Sequence, residues 1–280
     1  MNFELTQKQR TLKDAAKKFC IREFDPDLAM ELDRTEVFPM KLYRKAAKQG
    51  FSSLFIPEKY GGKEQGYQGS CLVMEEMCRA DSSLGLACMI GTFGSDMLLL
   101  HGTEEQKARY LPPLCRGEAI SAAAFTEPAR GTDISTVDTK AVKHGDEWTI
   151  NGEKTLITNA PVADFFIVLC QTESTDKPRK SQSLFIVDKK TEGLTVTKLS
   201  NKMGIRCVTT GHISFKDVKV SDKNLVGEMN NGFSHSLDFF AVSRIAIAAQ
   251  AVGTAQGAFE IALKYAQMRE NSGQPIVRFQ

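Results

Sequence analysis

The sequence predicts an α+β fold, in which helices, then strands, then one long helix follow each other along 280 residues. Three changes of pattern carry this prediction. Apolar residues have helical spacing over 1–120, alternate with a period of two over 121–231, and return to helical spacing over 232–280. Strands without intervening helices favour an antiparallel barrel or sandwich over a Rossmann fold.

The composition is typical of a globular protein and excludes several other classes. Hydrophobic residues make up 42% and charged residues 25% of the chain, which rules out a disordered or low-complexity chain. The 36 basic and 34 acidic residues nearly balance each other. We therefore expect no broad positive surface for nucleic acid or for an anionic membrane.

Cysteine and histidine spacing argues against disulfides and metal sites. The seven cysteines include no C-x-x-C pair, and the four histidines lie far apart along the chain. Residues 1–6 are not followed by the apolar stretch of a signal peptide. We expect reduced thiols in a soluble cytoplasmic protein, with the mitochondrial matrix as the alternative if a transit peptide has been removed.

The first region carries clear helix boundaries. Thr6-x-x-Gln9 and Thr103-x-x-Gln106 match the capping box, in which a Thr and a Gln side chain satisfy the free amides of the first turn. Pro112-Pro113 is predicted to end the last helix of this region, because proline lacks the amide donor that a helix needs.

The second region contains a series of predicted strands. Phe165–Cys170 is continuously apolar, as in a strand buried on both faces, and Ser183–Val187 and Leu194–Leu199 follow it. His212–Val220 alternates but slips once near Asp217, which predicts a bulge. Hairpin turns are predicted at His144-Gly145-Asp146 and at Asn151-Gly152.

The third region predicts one helix from Ser234 to Arg269, roughly 50 Å long. Gly253 and Gly257 lie four residues apart and would let another helix approach closely. The helix needs apolar cover on several faces. We expect that cover to come from elsewhere in this chain, from another subunit, or from a C-terminal segment absent from this sequence.

Four motifs occur in an order that is typical of one family. They are Ala124–Asp133 (AFTEPARGTD), Asn151–Ala160 (NGEKTLITNA), Lys202–Arg206 (KMGIR) before the predicted strand, and Ser243–Gly253 (SRIAIAAQAVG) followed by Tyr265-x-x-x-Arg269 and Gly273-x-Pro275-Ile276-x-x-Phe279-Gln280. With these motifs, the sequence closely resembles the acyl-CoA dehydrogenase family of FAD enzymes over essentially all 280 residues.

The resemblance implies three domains. They are an N-terminal all-α domain over 1–120, a middle antiparallel β-barrel domain over 121–231, and the first long helix of a C-terminal helical bundle over 232–280. The remainder of that bundle is expected to lie beyond Gln280, so that the sequence is C-terminally incomplete. A homotetramer, arranged as a dimer of dimers, is the expected assembly.

The resemblance also implies which residues hold FAD and substrate. Thr126 is placed near the isoalloxazine N1/O2 edge, Thr158 near N5, and Arg269 at the FAD pyrophosphate of a neighbouring subunit. The full set of implied cofactor residues is Phe125, Thr126, Gly131, Thr132, Leu156, Ile157, Thr158, Arg269 and Gln280. The implied substrate residues are Thr132, Ala241 and Arg244.

The implied reaction is desaturation of an acyl-CoA thioester between C2 and C3. A carboxylate base removes a proton from C2, FAD accepts a hydride from C3 at N5, and an electron-transferring flavoprotein receives the electrons. In most of the family the base lies further towards the C-terminus than Gln280. A minority place it directly before the arginine, where this chain has Ser243, so no residue here is assigned as the base.

Several positions depart from the family pattern. Leu156 replaces a tryptophan, Ala241 an aspartate, and the others are Arg130 for a small residue, Ser221 for a proline and Ser272 for an aromatic residue. With the missing base, they support an alternative, a non-catalytic partner subunit or interaction protein on the same fold. The third interpretation is a relative that reduces enoyl-CoA. Residues Gly91–Ser95 and Phe239-Phe240 are expected near the acyl group.

Overall fold

The computed structural model describes residues 4–173 and 177–280, so the prediction about a signal peptide falls partly on residues outside it. The described chain begins with helices that match the predicted all-α region. They are α1 Gln7–Glu23, α2 Pro26–Thr35, α3 Met40–Lys48, α4 Gly66–Ala80, α5 Ser82–Met89, α6 Ser95–His101 and α7 Glu104–Cys115.

Both predicted capping boxes are confirmed at the starts of α1 and α7. Thr6 Oγ1 accepts from Gln9 N at 3.3 Å, and Gln9 Oε1 accepts from Thr6 N at 2.8 Å. The same reciprocal pair joins Thr103 and Gln106. In each helix, two amides that the helix itself leaves unpaired are satisfied locally.

The prediction that Pro112-Pro113 ends α7 is wrong, because the helix continues to Cys115. The two prolines remove two amide donors from the helical ladder. Leu111 and Leu114 on either side of them are fully buried. Their packing outweighs the lost hydrogen bonds, a tertiary effect that local sequence does not show.

The middle region forms one eight-stranded sheet in the order β6-β7-β3-β2-β4-β5-β8, with β1 also paired to β4. Its strands are β1 Ser121–Ala124, β2 Lys140–His144, β3 Glu147–Thr158, β4 Phe165–Gln171, β5 Gln182–Asp188, β6 Leu194–Leu199, β7 Thr210–Ser221 and β8 Leu225–Val226. The α+β class is therefore confirmed.

The sheet differs from the predicted antiparallel barrel in two respects. Both β1 and β2 pair with β4 in the parallel direction. Among the residues that the structure describes, the outer strands β6 and β8 are not hydrogen-bonded to each other. The sheet is therefore mixed, and hydrogen bonds do not close it into a barrel.

One predicted hairpin is confirmed and the other is wrong. Gly145 and Asp146 connect β2 to β3 in a two-residue turn. Asn151-Gly152 instead lies inside β3, opposite the predicted bulge of β7 at Asp217. The Asn151 side chain accepts from Asp217 N at 2.8 Å and donates to Asp217 Oδ1 at 3.1 Å. The dipeptide therefore serves the bulge and not a turn.

Strands β4 and β5 lie at the centre of the molecule, which explains their continuous apolar sequence. Phe166 and Val168 of β4 pack in one apolar cluster with α1–α5, and Ile167 and Leu169 pack in a second cluster with α6 and α7. Alternate side chains of a strand point to opposite faces. Both faces of β4 are thus covered, and the helices are held firmly against the sheet.

The last helix, α8 Gly232–Met268, packs along α4 through its two predicted glycines. A Cβ at Gly253 would lie 2.2 Å from Glu75 O, and one at Gly257 would lie 2.1 Å from Arg79 O. The predicted close approach is confirmed. Beyond α8, a short hairpin joins β9 Glu270–Asn271 to β10 Gln274–Pro275.

Much of the remaining surface of α8 is apolar and exposed. The large exposed side chains are Leu237, Ile245, Ile247, Val252, Phe259, Ile261, Tyr265 and Met268. By length and composition alone, residues Ser82–His101 and Gly232–Met268 could each cross a membrane. The first segment is 78% buried inside the protein, and the second is 11% buried.

An ion pair between Glu127 and Lys154 lies in the interior, where Lys154 is fully buried. Lys154 Nζ donates to Glu127 Oε1 at 2.8 Å and to the Phe125 carbonyl at 3.0 Å. The Glu127 carboxylate also accepts from Asp138 N at 2.5 Å and Thr139 N at 2.9 Å. The pair therefore joins β3 to the connection between β1 and β2.

The pKa values of this pair reflect both burial and attraction. Burial by itself raises the pKa of the Glu127 carboxyl, but the Lys154 ammonium and the hydrogen bonds outweigh it, and the pKa lies below its usual value. Burial lowers the pKa of Lys154, and the attraction of Glu127 opposes that shift. Each charge therefore depends on the other for its stability inside the protein.

Replacing Lys154 with Met should lower the free energy of unfolding by about 3–5 kcal/mol, because a buried carboxylate then has no counterion. Adding Glu127→Gln should recover at least about 1 kcal/mol, since the buried charge is gone. Chemical denaturation of the single and double variants measures both values. If the double variant lost as much unfolding free energy as the two single variants added together, the two charges would not be coupled.

Replacing Gly257 with Ala should destabilise the protein by about 1–3 kcal/mol, because the added methyl group overlaps the Arg79 carbonyl. Helix propensity alone would make the alanine variant more stable than the wild type. A loss of stability can therefore be attributed to the packing of α8 against α4. Thermal and denaturant unfolding measure it. Gly204→Ala, at a position with nothing within 4 Å of an added Cβ, is the control. A Gly257→Ala variant as stable as the wild type would contradict the packing.

Candidate functional site

The first two sequence motifs are neighbours in space. Glu127 and Arg130 close a tight turn, with Glu127 N donating to Arg130 O at 2.9 Å and Arg130 N donating to Glu127 O at 3.0 Å. The Thr126 carbonyl, one residue before this turn, accepts from Thr155 N at 2.8 Å. Together with the buried ion pair, these bonds fix the turn against β3.

Asn159 fixes the end of β3. Its backbone is left-handed, with φ of 67°, a conformation that asparagine tolerates better than most residues. Its buried side-chain amide donates to Ile90 O at 2.8 Å and to Ser121 O at 3.1 Å. Strand β3, strand β1 and the end of α5 therefore meet at one side chain, directly after Thr158.

A cavity of about 840 Å³ lies between the turn, the end of β3 and the start of α8. We call it the large cavity. It brings together eight of the residues that the sequence predicted for cofactor or substrate: Phe125, Thr126, Gly131, Thr132, Leu156, Ile157, Thr158 and Arg244. Its lining combines hydroxyl groups, apolar side chains and a guanidinium.

Three predicted residues lie outside the large cavity. Ala241 is exposed on α8 and does not line it. Arg269 and Gln280 are exposed at and beyond the end of α8. At about 1.5 Å per helical residue, Arg269 lies roughly 38 Å from Arg244 along the axis. One cavity cannot include both arginines, so a role for Arg269 and Gln280 in a neighbouring subunit stays a prediction.

Two of the side chains that depart from the family pattern differ in where they lie relative to the large cavity. Arg130 does not line the large cavity, and its guanidinium pairs with Asp138 at 3.2 Å. Leu156 does line it, with a left-handed backbone (φ 57°) and 65% of its surface exposed. An aliphatic side chain therefore stands where the family has an aromatic ring.

Sequence reasoning missed several residues of this site. Arg179 and Phe233 also line the large cavity, and the guanidinium of Arg179 lies 5.4 Å from the centre of the Phe233 ring. A cluster of basic residues in the sequence could have indicated a binding residue here: Lys177, Arg179 and Lys180. The segment is predicted only to be a polar loop. Glu127 and Lys154 both lie in the first two motifs, but nothing in the sequence shows that their side chains pair.

A second, small cavity of about 80 Å³ shares one lining residue, Phe93, with the large cavity. Helix α8 borders the two with consecutive residues: Phe239 and Ser243 line the small cavity, and Phe240 and Arg244 line the large one. Phe93 and Phe239 belong to the segments predicted to lie near the acyl group. Ser243 marks the alternative position of the base.

The small cavity contains one carboxyl group, that of Asp96. Burial raises the pKa of Asp96 to about 6, although interaction with the Tyr67 hydroxyl opposes the shift.

The seven cysteines are all free, and burial raises the pKa of Cys71, the least buried of them, above its usual value. Within residues 4–173 and 177–280, no cluster of three His, Cys, Asp or Glu side chains could hold a metal ion.

Family models match nearly the whole chain in three consecutive segments. The acyl-CoA dehydrogenase N-terminal domain matches residues 6–118, the middle domain matches residues 122–218, and the C-terminal domain matches residues 230–280. The order of the three matches is the order of the helical region, the sheet and the last helix.

Curated relatives and solved structures agree with this assignment. The chain is 39% identical to the 3-(aryl)acrylate reductase of Clostridium sporogenes, over 98% of this chain and 73% of the relative. It is 36% identical to the caffeyl-CoA reductase-Etf complex subunit CarC of Acetobacterium woodii, again over 98% and 73%. The butyryl-CoA dehydrogenase structure from Megasphaera elsdenii superposes with a TM-score of 0.94 at 32% identity, covering 100% of this chain and 74% of that one. The chain belongs to the acyl-CoA dehydrogenase family.

Proposed function

We propose that this protein is an FAD-dependent oxidoreductase that desaturates an acyl-CoA thioester between C2 and C3. The observation that carries the proposal is the large cavity, which joins residues of two distant motifs to Arg244 of α8. Neither motif alone identifies a cofactor site. The two motifs line one cavity, and the chain belongs to this family. Together these findings support a cofactor that contacts both motifs.

The lining of the large cavity suits a flavin. Ile157 and Leu156 offer apolar contact to a flat ring, and the hydroxyl groups of Thr126 and Thr158 offer hydrogen bonds to its polar edge. FAD, when bound, supplies the redox chemistry by accepting a hydride equivalent from the substrate. The fixed donors of the chain stabilise negative charge on the ring without reorganising.

The thioester would lie towards the start of α8. Arg244 lines the large cavity while its Nε donates to the Phe240 carbonyl at 2.8 Å, which orients the guanidinium. A guanidinium pairs well with the phosphates of CoA. Thr132 lines the same cavity, and we assign it contacts with both cofactor and substrate. Ala241 provides no polar group for such a contact.

The proton at C2 needs a base that these residues do not provide. Ser243, at the alternative position, lines the small cavity but has no basic group at neutral pH. We place the base in chain beyond Gln280. The exposed apolar face of α8 supports further covering by such a segment and by other copies in a homotetramer.

Two features of the proposal rest on the relatives. One relative is named as part of an Etf complex, which supports an electron-transferring flavoprotein as redox partner. Two relatives are named reductases. Their names support the reverse reaction as a second candidate, in which a thioester with a double bond between C2 and C3 is reduced.

The seven free cysteines support a cytoplasmic location.

The purified protein should show the two visible absorbance bands of a flavin, with about one FAD per chain. A Thr158→Val variant should bind FAD about tenfold more weakly, because one hydrogen bond to the ring is lost. Absorbance after dialysis and fluorescence titration measure these values. Thr155→Val, in the same strand but outside the large cavity, should bind FAD normally.

A colourless protein that takes up no added FAD would contradict the proposal. That result would favour the alternative of a non-catalytic partner subunit on the same fold. Equal weakening by Thr155→Val and Thr158→Val would show that the loss comes from the strand and not from the cavity.

Replacing Arg244 with Met should weaken acyl-CoA binding about tenfold or more, because a charge-assisted hydrogen bond is removed. FAD content should stay unchanged. Calorimetric titration of the FAD-loaded protein with an acyl-CoA measures the change. Lys264→Met, a surface charge further along α8, should bind like the wild type. Unchanged affinity in Arg244→Met would remove this arginine from the substrate site.

A further inference from the structure

The small cavity is largely apolar, and its polar lining includes one carboxyl and one phenol hydroxyl besides several serine and threonine hydroxyls. Phe55, Phe93 and Phe239 provide aromatic walls. The Asp96 carboxyl and the Tyr67 hydroxyl lie among them and interact electrostatically. Nothing in the family resemblance assigned a role to this pair.

The position of Tyr67 is fixed by its ring, not by its hydroxyl. The ring stacks on Phe55, with centroids 5.3 Å apart and planes inclined by 14°. The hydroxyl oxygen is buried and makes no hydrogen bond of ordinary geometry with the described residues. The interaction with Asp96 is therefore one of proximity and not an aligned hydrogen bond.

Asp96 likewise has no basic side chain opposite it in the small cavity, whose described lining contains no Lys, Arg or His. Burial raises its pKa to about 6, so that near neutral pH it is mostly a carboxylate in an apolar setting. Polar groups in such a setting are unfavourable until they are hydrogen-bonded. A plain hydrocarbon in the cavity would leave the Tyr67 hydroxyl without a hydrogen-bond partner and would offer the Asp96 carboxylate no further donor.

A hydroxyl group satisfies both at once. Its hydrogen is donated to the Asp96 carboxylate, and its oxygen accepts from the Tyr67 hydroxyl. The pair therefore has the donor and acceptor pattern of a hydroxyl site, at the end of a cavity with aromatic walls.

The small cavity is placed to receive the end of an acyl group. It shares Phe93 with the large cavity, and Ser243, at the alternative position of the base, lines it. A thioester with its CoA near Arg244 and its C2 near Ser243 would direct the rest of its acyl group towards Tyr67 and Asp96. This step rests on the proposed function.

We propose that Asp96 and Tyr67 select acyl-CoA thioesters whose acyl group carries a hydroxyl at its far end. The pair acts in substrate choice and not in the chemistry at C2 and C3. The preferred substrate is thus a hydroxylated acyl thioester, compact enough for a cavity bounded by Phe55, Phe93 and Phe239.

The test uses the complete gene product, loaded with FAD and reduced beforehand so that saturated thioesters bind without reacting. Calorimetry compares butanoyl-CoA with its terminally hydroxylated twin, and phenylpropanoyl-CoA with its para-hydroxylated twin. In at least one pair, the hydroxylated twin should bind about tenfold or more tightly.

The variants assign that preference to the two side chains. Tyr67→Phe and Asp96→Leu should each reduce the hydroxyl preference about tenfold while retaining binding of the plain twin. Ser70→Ala is the matched control, because Ser70 lines the same cavity but its hydroxyl already donates to the Gly66 carbonyl at 3.4 Å. It should keep the preference of the wild type.

Equal binding of both twins in both pairs would overturn the inference and leave the proposed function standing. A preference that persists in Tyr67→Phe and in Asp96→Leu would also overturn it. Failure of all four thioesters to bind, with FAD in place, would contradict the proposed function and the inference together.

Discussion

The buried ion pair between Glu127 and Lys154 is the constraint on which the candidate site depends. Lys154 is fully buried in β3 and holds both the Glu127 carboxylate and the Phe125 carbonyl. These bonds hold the segment that carries Thr126 against β3, which carries Thr158. A buried pair is a weak source of net stability, but either of its charges left alone inside the protein is strongly unfavourable.

The same arrangement explains why helices and sheet form one site. Asn159 ties the end of β3 to β1 and to α5. Phe93, between α5 and α6, lines both the large cavity and the small one, and the first turns of α8 border both. The large cavity thus takes much of its lining from the sheet and the connection after β1, and the small cavity takes its lining from the helical region. Helix α8 lines both.

Local pattern predicted much of the fold, and tertiary packing decided the remainder. The capping boxes at Thr6 and Thr103 and the bulge at Asp217 depend on neighbouring residues, so sequence shows them. The passage of α7 through Pro112-Pro113 and the placement of Asn151-Gly152 inside β3 depend on burial and on a partner strand. The same division holds in the site: Thr126, Glu127, Lys154 and Thr158 all lie in the first two motifs, but only the fold shows that Glu127 pairs with Lys154.

The proposed reaction passes electrons between an acyl thioester and a flavin held in the large cavity. An anaerobic titration of the FAD-loaded complete gene product with acyl-CoA thioesters measures this transfer, with visible absorbance as the readout. We expect at least one saturated thioester to bleach the flavin while an enoyl thioester accumulates in equal amount. A flavin that stays oxidised with every saturated thioester, and stays reduced with every enoyl thioester, would contradict the account.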